Sequence, residues 1–218
     1  DLDRILNIRI EILDELGHLK YRTLIVEVMG RHSNIILTDS ESQRIFDSIK
    51  RVPESISRYR QIIPGYVYKS PPYQDKLIPF SDNKDLFSKL LKSSPASKIS
   101  NIIVKNYMGI SPALAKHIVE SSGLGNKSKQ DVITKENIVT LWNSFKDTME
   151  QIQNNNVQPT VFIDNESNKP IDFHLLPLKQ YNYLINLKKD DINSAIDLYY
   201  TRKINIEETL NYKNNLEK

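Results

Sequence analysis

The sequence has no cysteine, which excludes disulfide bonds and thiolate ligands for a metal. Its four histidines, His18, His32, His117 and His174, are scattered, and no two have the spacing with which a helix presents two histidines to zinc. Only six glycines occur, and no glycine-rich phosphate loop or nucleophile elbow is present. We therefore expect no metal, no cofactor and no independent active site, which favours a binding protein over an enzyme.

Long apolar runs are also lacking. No stretch approaches the roughly 18 apolar residues of a membrane-spanning helix, and no basic-then-apolar leader is visible in the sequence. We therefore expect no membrane partner and no visible signal peptide. The absence of cysteine fits a cytoplasmic protein.

Charge is unevenly distributed along the chain. The 218 residues carry a net charge of only +3, but residues 44–130 hold 15 Lys and Arg against 6 Asp and Glu. That stretch has a net charge of +9, and the remainder has −6. A basic middle region indicates either a polyanionic partner or a solvated basic face.

The first eighty residues have the pattern of β structure. Residues 4–11 largely alternate apolar and polar side chains, and 22–28, 34–38 and 44–49 are short and rich in β-branched residues. A short polar loop between the second and third of these segments predicts a hairpin. Five prolines within residues 53–79 predict an extended, fixed loop.

The pattern then becomes helical. Apolar residues at helical spacing predict four helices, at residues 85–92, 97–107, 113–121 and 134–153. Ser111 is a suitable N-cap for the third helix, Pro112 suits its first position, and Gly123 suits its end. Thr134 with Asn137 forms a partial capping box for the fourth.

Strands are predicted again after the helices. Residues 160–163 and 171–176 form strand candidates around a turn, and a charged helical pattern from residue 191 resembles the start of a coiled coil. The chain is therefore predicted to be an α+β protein. Its predicted parts are a β-rich region at 1–80, a helical domain at 81–155, returning strands at 156–190 and the start of a coiled coil at 191–218.

Three stretches have side chains suited to binding a nucleic acid. In the first hairpin loop, Gly30 permits positive φ or close approach, Arg31 offers donors to a phosphate or base edge, and His32 can stack. Ser33 and Asn34 can donate hydrogen bonds. The alternative is a tight turn whose Ser and Asn bond only the local backbone.

The second stretch, residues 108–112, joins two predicted helices. A glycine-containing turn between helices resembles a helix-hairpin-helix, in which backbone N–H groups and a helix start meet a phosphate. Gly109, Ser111 and Lys116 are the candidate phosphate contacts. Ser111 stands where such hairpins usually have a second glycine, so an ordinary αα-hairpin remains the alternative.

The third stretch interleaves basic and aromatic side chains. Arg51, Arg58 and Arg60 are candidate phosphate contacts, and the neighbouring tyrosines, which can stack on bases, are Tyr59, Tyr66, Tyr68 and Tyr73. The alternative is an exposed loop whose tyrosines pack over the sheet.

Several long motifs resemble one known family. They are LIVEVMGRHSNIILTD at 24–39, IFDSIKRVP at 45–53, SRYRQIIPGYVY at 57–68, PPYQDK at 71–76, FHLLPL at 173–178 and SAIDLYYTRK at 194–203. Together they resemble the NFACT-N domain of the RqcH/NEMF/FbpA proteins. The motifs span most of the chain, and residues 82–155 are the most divergent part.

The resemblance implies a fold and a function. The fold would be similar to that of MutM-type DNA glycosylases, a β-rich domain beside a helix-hairpin-helix unit, with a coiled coil beginning at the C-terminal helix. The family's domain is expected to begin before Asp1. Its proteins bind the large ribosomal subunit and tRNA, recruit alanyl-tRNA and support untemplated alanine tailing of stalled nascent chains.

The resemblance also implies which residues handle tRNA. An Asp-Arg pair and a Glu-x-Met-Gly-Arg stretch correspond to Asp3 and Arg4, and to Glu27, Val28, Met29 and Arg31, with His32 beside them. For Asp3 and Arg4, the alternative is a charged pair at a strand start. A different function is also attached to the family, because some members are called fibronectin- or fibrinogen-binding proteins. A surface adhesin for those host proteins is therefore the rival prediction.

Overall fold

The computed structural model describes residues 4–72, 75–93, 97–125 and 134–216. The chain divides into two compact units, Asp1–Gln74 and Asp75–Lys218. Within the described residues, the first unit has a four-stranded antiparallel sheet, and the second has five α-helices and a three-stranded antiparallel sheet. The architecture is therefore mixed α+β.

The first sheet is a simple meander. Its strands are β1 (Ile5–Leu13), β2 (Leu19–Glu27), β3 (Asn34–Asp39) and β4 (Ile45–Ser48), and they lie side by side in chain order. All four predicted strands are confirmed. The first two extend further than predicted because they pair with each other along their whole length.

One face of this sheet forms a small core. Ile25 and Ile36 lie opposite each other in β2 and β3, and they pack with Ile45 and with Ile62 from the proline-containing segment. Side chains alternate between the two faces of a strand, so Glu27 lies on the same face as Ile25. A carboxylate therefore stands at the edge of an isoleucine core.

The opposite face of the sheet is apolar but exposed. Leu6, Ile8 and Ile10 of β1 are all exposed, as is Ile35 of β3. The alternation in β1 therefore predicted a strand correctly, although its apolar side chains are not buried within the described residues.

Within the described residues, the proline-containing segment forms no α-helix and no strand, in agreement with a loop, but it includes turns at 54–56 and 64–65 and is not extended throughout. The amides of Val52 and Ile62 each donate to the other's carbonyl, at 3.0 and 2.9 Å, and close a loop between them. Farther along, Ile45 of β4 donates to the carbonyl of Tyr66 at 2.8 Å. These bonds hold the segment beside β4.

The helices of the second unit match the four predicted ones closely. They are α1 (Lys84–Ser93), α2 (Ile99–Asn106), α3 (Pro112–Ser121) and α4 (Lys135–Gln153). Within the described residues, no helix of either unit is both long and apolar enough to cross a membrane.

The predicted helix ends are also confirmed. The Ser111 hydroxyl accepts the amide of Leu114 at 3.1 Å, and Pro112 occupies the first turn of α3. Gly123 follows α3 with a φ of +80°, a conformation that glycine adopts without strain. Thr134 caps α4 through its side-chain oxygen.

The second sheet has three strands. β5 (Thr160–Ile163) lies between β6 (Pro170–His174) and β7 (Ile185–Lys188), and α5 (Ile192–Leu216) follows. β7 was not predicted. Its four residues, INLK, do alternate apolar and polar side chains, but over only four positions, and the strand's place in the sheet depends on pairing with β5.

The helices and the second sheet share one core. An aromatic cluster at its centre joins Phe87, Tyr107, Trp142 and Phe145, with neighbouring ring centroids 4.8 to 6.2 Å apart. Phe162 of β5 belongs to the same buried set. The strands at 156–190 thus pack with the helices, and the predicted division of the chain at residues 80, 155 and 190 stays a prediction.

The β3–β4 and β5–β6 hairpins have the same turn. Asp39 accepts the amide and hydroxyl of Ser42 at 2.8 Å each, and Asp164 accepts those of Ser167 at 2.8 and 2.7 Å. The backbone amide of Ser42 lowers the pKa of Asp39, and the hydroxyl of Ser167 lowers that of Asp164. An Asp three residues before a Ser thus closes both hairpins by local hydrogen bonds.

Candidate functional site

The β2–β3 turn, residues 28–33, contains the first candidate motif. Gly30–His32 form one turn of 3-10 helix, with Gly30 at a φ of +56°. The Met29 amide donates to the Ser33 hydroxyl at 2.9 Å, which closes the turn. Gly30 and Ser33 therefore serve the turn itself, and the exposed tip is left to Arg31 and His32.

The two side chains at the tip contact each other. Arg31 Nε donates to His32 Nε2 at 3.0 Å. In this arrangement Nε2 of His32 is the acceptor. The guanidinium and the imidazole together offer the donors and flat rings that suit a phosphate or a base.

Asn34 and Lys50 hold the far side of the turn. Asn34 Nδ2 donates to the Lys50 carbonyl at 2.8 Å, and the Lys50 amide donates to Asn34 Oδ1 at 2.9 Å. The ammonium of Lys50 reaches the Arg31 carbonyl at 3.3 Å. The structure therefore adds Lys50 to the cations of the turn, beside Arg31.

Glu27 lies at the other end of the turn and is buried, with 2% of its surface exposed. Its Oε1 accepts from Arg60 Nη2 at 2.6 Å and from the Tyr68 hydroxyl at 2.8 Å. Burial, and then the hydrogen bond to Glu27, raise the pKa of Tyr68, so its hydroxyl remains a donor. Two predicted site residues, Glu27 and Arg60, are thus each other's partners.

The residue just before β1, Arg4, lies beside the same turn. The Val28 amide donates to the Arg4 carbonyl at 2.7 Å, beyond the last paired residues Ile5 and Glu27. Arg4 and Val28 are exposed, and Met29 is half-buried. Asp3 lies outside the described residues.

The remaining basic candidates of the first unit differ in their surroundings. Arg58 is exposed, and Arg51 is exposed and forms an ion pair with Asp47 at 3.4 Å. Tyr59 is also exposed, and the ammonium of Lys69 lies 4.2 Å from its ring centroid. Exposed ion pairs of this kind are weak and exchange partners readily, so Arg51 stays accessible to an anion.

The α2–α3 turn, residues 107–111, contains the second candidate motif. Gly109 has a φ of +68°, and Lys116 is exposed on α3. The Ser111 hydroxyl already accepts the Leu114 amide, and Pro112 has no amide hydrogen. Two positions that a helix start uses for an anion are therefore unavailable, and phosphate binding at this turn stays a prediction.

A neighbouring polar contact fixes α3 to the chain before β7. His117 Nδ1 accepts the Lys179 amide at 3.0 Å. Burial, and then the nearby His174, lower the pKa of His117 to about 4, so it is neutral at physiological pH. Among the residues that the structure describes, no group of three or more His, Asp or Glu is arranged to hold a metal ion.

The sequence motifs did not identify the pairing of Glu27 with Arg60 and Tyr68. A signal was nevertheless present in the segment LIVEV, where alternation places Glu27 on the face of the buried Ile25. A carboxylate on a buried face requires a buried donor or cation. What the sequence could not indicate is which of its many basic residues supplies it.

Comparisons with known proteins agree on one family. The model of the NFACT N-terminal and middle domains matches residues 1–218. The Rqc2 homolog RqcH of Bacillus subtilis (strain 168) is 32% identical over 127 residues, which are 58% of this chain and 22% of that protein. The matched part of the chain thus spans about a fifth of the length of this curated relative.

Two solved structures have a similar fold. The fibrinogen binding protein from Staphylococcus aureus matches with a TM-score of 0.69 and 28% identity, over 91% of this chain and 66% of that one. The N-terminal part of the fibronectin/fibrinogen-binding protein from Streptococcus suis matches with a TM-score of 0.59 and 25% identity, over 91% and 64%.

Proposed function

Because this chain belongs to the family of NFACT N-terminal and middle domains, we propose that it is the RNA-binding part of a ribosome-associated quality-control factor. Its partners are tRNA and the large ribosomal subunit. It acts by binding and carries no catalytic group of its own. In the cell it is cytoplasmic and associated with ribosomes, as the similarity to an Rqc2 homolog suggests.

The observation that carries this proposal is the β2–β3 turn. It presents Arg31 and His32 at an exposed tip, with the ammonium of Lys50 on the Arg31 carbonyl and the exposed Arg4 at the adjoining strand end. Phosphate contacts from arginine and lysine supply most of the affinity for a nucleic acid. A turn fixed at both ends places these contacts without a large loss of conformational entropy.

The finer activity follows from the family resemblance. The tRNA is alanyl-tRNA, and its recruitment supports untemplated alanine tailing of a stalled nascent chain. The fold is of the MutM type, the α2–α3 pair is a helix-hairpin-helix unit that meets a phosphate through Gly109 and Lys116 while Ser111 caps α3, and α5 begins a coiled coil. Asp3, Arg51 and Arg58 extend the RNA-binding surface.

The test is binding of a tRNA-Ala transcript by the full-length protein over a series of salt concentrations. Affinity should fall steeply with salt, because phosphate contacts release counterions. The double variant Arg4→Ala/Arg31→Ala should bind at least about tenfold more weakly, since each lost phosphate contact removes about 1 kcal/mol or more. The same variant should fail to support alanine tailing.

A charge-matched control is available. Lys20 lies near the opposite end of β2, and Lys146 lies on α4, and both side chains are more than half exposed. The variant Lys20→Ala/Lys146→Ala should bind the transcript as the wild type does. Normal binding and tailing by the Arg4→Ala/Arg31→Ala variant would refute the proposal.

A second candidate function rests on the two solved structures, which are described as fibrinogen- or fibronectin-binding proteins. In that case the chain would be an adhesin displayed on the cell surface. The test is retention of the protein on immobilised fibrinogen and fibronectin, together with its detection on intact cells. Retention without any binding of the tRNA transcript would replace the RNA-binding proposal with this one.

A further inference from the structure

We propose that the buried Glu27, the largely buried Arg60 and the half-buried Tyr68 form a clamp that positions the β2–β3 turn for RNA without contacting RNA. This inference rests on the proposed function of the turn and deepens it. It separates the residues of the motif into two groups. Arg31 and His32 meet the ligand, whereas Glu27 and Arg60 hold the backbone that carries them.

The burial of the clamp supports this separation. Glu27 is 2% exposed and the Arg60 side chain is 11% exposed, so neither offers a surface to a large ligand. An ionised carboxylate in such a position is stable only when paired and hydrogen-bonded. Arg60 and Tyr68 satisfy this requirement by donating to the same oxygen, Oε1.

Charge leads to the same conclusion. A carboxylate that faced RNA would repel the phosphates, so Glu27 is a poor direct contact for a polyanion. The positive charge of Arg60 is neutralised by Glu27 at 2.6 Å. The clamp as a whole is close to neutral, in contrast to the exposed cation at Arg31.

The clamp joins two distant segments of the first unit. Glu27 ends β2, whereas Arg60 and Tyr68 come from the proline-containing segment 33 and 41 residues later. That segment is itself fixed, since the Tyr68 amide donates to the Gln43 carbonyl at 2.8 Å. The end of β2 is therefore attached to a rigid support.

The position of Glu27 transmits this rigidity to the turn. Glu27 pairs with Asn34 in the last register position of β2 and β3, immediately before the backbone leaves the sheet. Asn34 is tied to Lys50 by two hydrogen bonds. Both ends of the turn are thus anchored, one by the clamp and one by Asn34, and only the tip with Arg31 is exposed.

The main test uses Tyr68→Phe, which removes one hydroxyl and keeps the ring. With the full-length protein and the tRNA-Ala transcript, affinity should fall about threefold to tenfold, because Glu27 loses one of its two donors and the turn is held less firmly in its binding conformation. The slope of affinity against salt should not change. Arg31→Ala should instead reduce that slope by about one, because a phosphate contact is lost.

A matched control and a double-mutant cycle separate positioning from general stability. Tyr66→Phe alters a neighbouring tyrosine that is 52% exposed and should leave affinity unchanged. In an Arg31→Ala background, Tyr68→Phe should cause a smaller further loss than in the wild type, because Arg31 is one of the two tip side chains that the clamp positions. Additive losses would mean that Tyr68 acts independently of Arg31 and would overturn the inference.

Arg60→Gln gives the second decisive measurement. A positioning role predicts weaker binding with an unchanged salt slope, whereas a slope reduced by about one would make Arg60 a phosphate contact. That result, or wild-type binding by Tyr68→Phe, would refute the clamp alone. Absence of transcript binding by the wild-type protein would instead refute the proposed function, and this inference with it. The thermal melt of each variant is recorded first, and only variants that are folded at the assay temperature are compared.

Discussion

The β2–β3 turn and the α2–α3 turn both reverse the chain at a glycine, but the first is held by hydrogen bonds to a buried carboxylate and the second by an apolar core. Each has a glycine at positive φ, +56° at Gly30 and +68° at Gly109. The first is anchored beside a buried carboxylate, Glu27, with hydrogen-bonding partners. The second lies between Tyr107 and Ile110, which are buried in an aromatic and aliphatic core.

This difference determines which substitutions each turn tolerates. A hydrogen-bonded ion pair depends on the charge and direction of its groups, so an isosteric change is enough to disrupt it. An apolar core depends on volume and packing, so it is disrupted mainly by truncation. The first turn should therefore be sensitive to loss of a charge or a hydrogen-bonding group, and the second to truncation of a buried apolar side chain.

The largest expected effect is in the core behind the α2–α3 turn. Phe145→Ala removes a ring that is 1% exposed and contacts Tyr107 at a centroid distance of 4.8 Å. We expect a loss of about 3–5 kcal/mol in the free energy of unfolding, measured by urea denaturation with Trp142 fluorescence. Tyr183→Ala, at an exposed tyrosine of the same unit, is the control and should cost under about 1 kcal/mol. If Phe145→Ala and Tyr183→Ala lowered the free energy of unfolding equally, the apolar core would not be what stabilises the region of the α2–α3 turn.

The next largest effect is expected at the clamp. Glu27→Gln keeps the size of the side chain but leaves Arg60 with an uncompensated, mostly buried charge. We expect a loss of about 2–4 kcal/mol in the free energy of unfolding, which urea denaturation monitored by circular dichroism would measure. The control is Glu41→Gln at an exposed carboxylate, which should change stability by less than about 0.5 kcal/mol. If Glu27→Gln lowers the free energy of unfolding no more than Glu41→Gln does, the stability of the first turn does not depend on the charge of Glu27.

A smaller effect should appear on acidification. Burial lowers the pKa of His117 from 6.5 to about 4, so the unfolded chain binds a proton that the folded chain does not. Stability should therefore be complete above about pH 6.5 and decrease by about 1–2 kcal/mol as the pH falls toward 4. Burial also lowers the pKa of His174, which contributes in the same direction.

The variant His117→Gln should reduce that decrease in urea denaturation at pH 7 and pH 4.5. His18→Gln, at an exposed histidine, should leave it unchanged. An identical pH profile for the wild type and His117→Gln would show that the contact with the Lys179 amide is not sensitive to protonation.

The smallest effect is expected at the cap of α3. Ser111→Ala removes the acceptor for the Leu114 amide and should cost about 1 kcal/mol of stability. Ser33→Ala removes the comparable bond to the Met29 amide in the other turn. Measured side by side, Ser33→Ala should weaken binding of the tRNA transcript, whereas Ser111→Ala should mainly lower the melting temperature. The reverse pattern would make the α2–α3 turn the principal RNA contact.

Local patterns in the sequence were sufficient for most secondary structure. Alternation and β-branched residues located β1 to β6, and helical spacing located α1 to α5, with caps at Ser111 and Thr134. β7 was missed because its alternation of apolar and polar residues extends over only four positions, and it is held in the sheet by pairing with β5. The exposed motif residues Arg31 and His32 were also predictable, because a polar loop between two strands places its tip in solvent.

Local patterns in the sequence were enough to indicate an α+β fold, all strands but β7, the helices with their caps, the turn that carries Arg31, and the resemblance to the family. All of these depend on residues within a few positions of one another, where backbone and side-chain preferences act directly. The pairing of Arg60 with Glu27, 33 residues apart, and the contact of His117 with Lys179, 62 residues apart, are visible only in the folded structure. Such pairs form because folding buries the two side chains next to each other in a suitable orientation. Local periodicity reports only on residues a few positions apart, so it does not predict them.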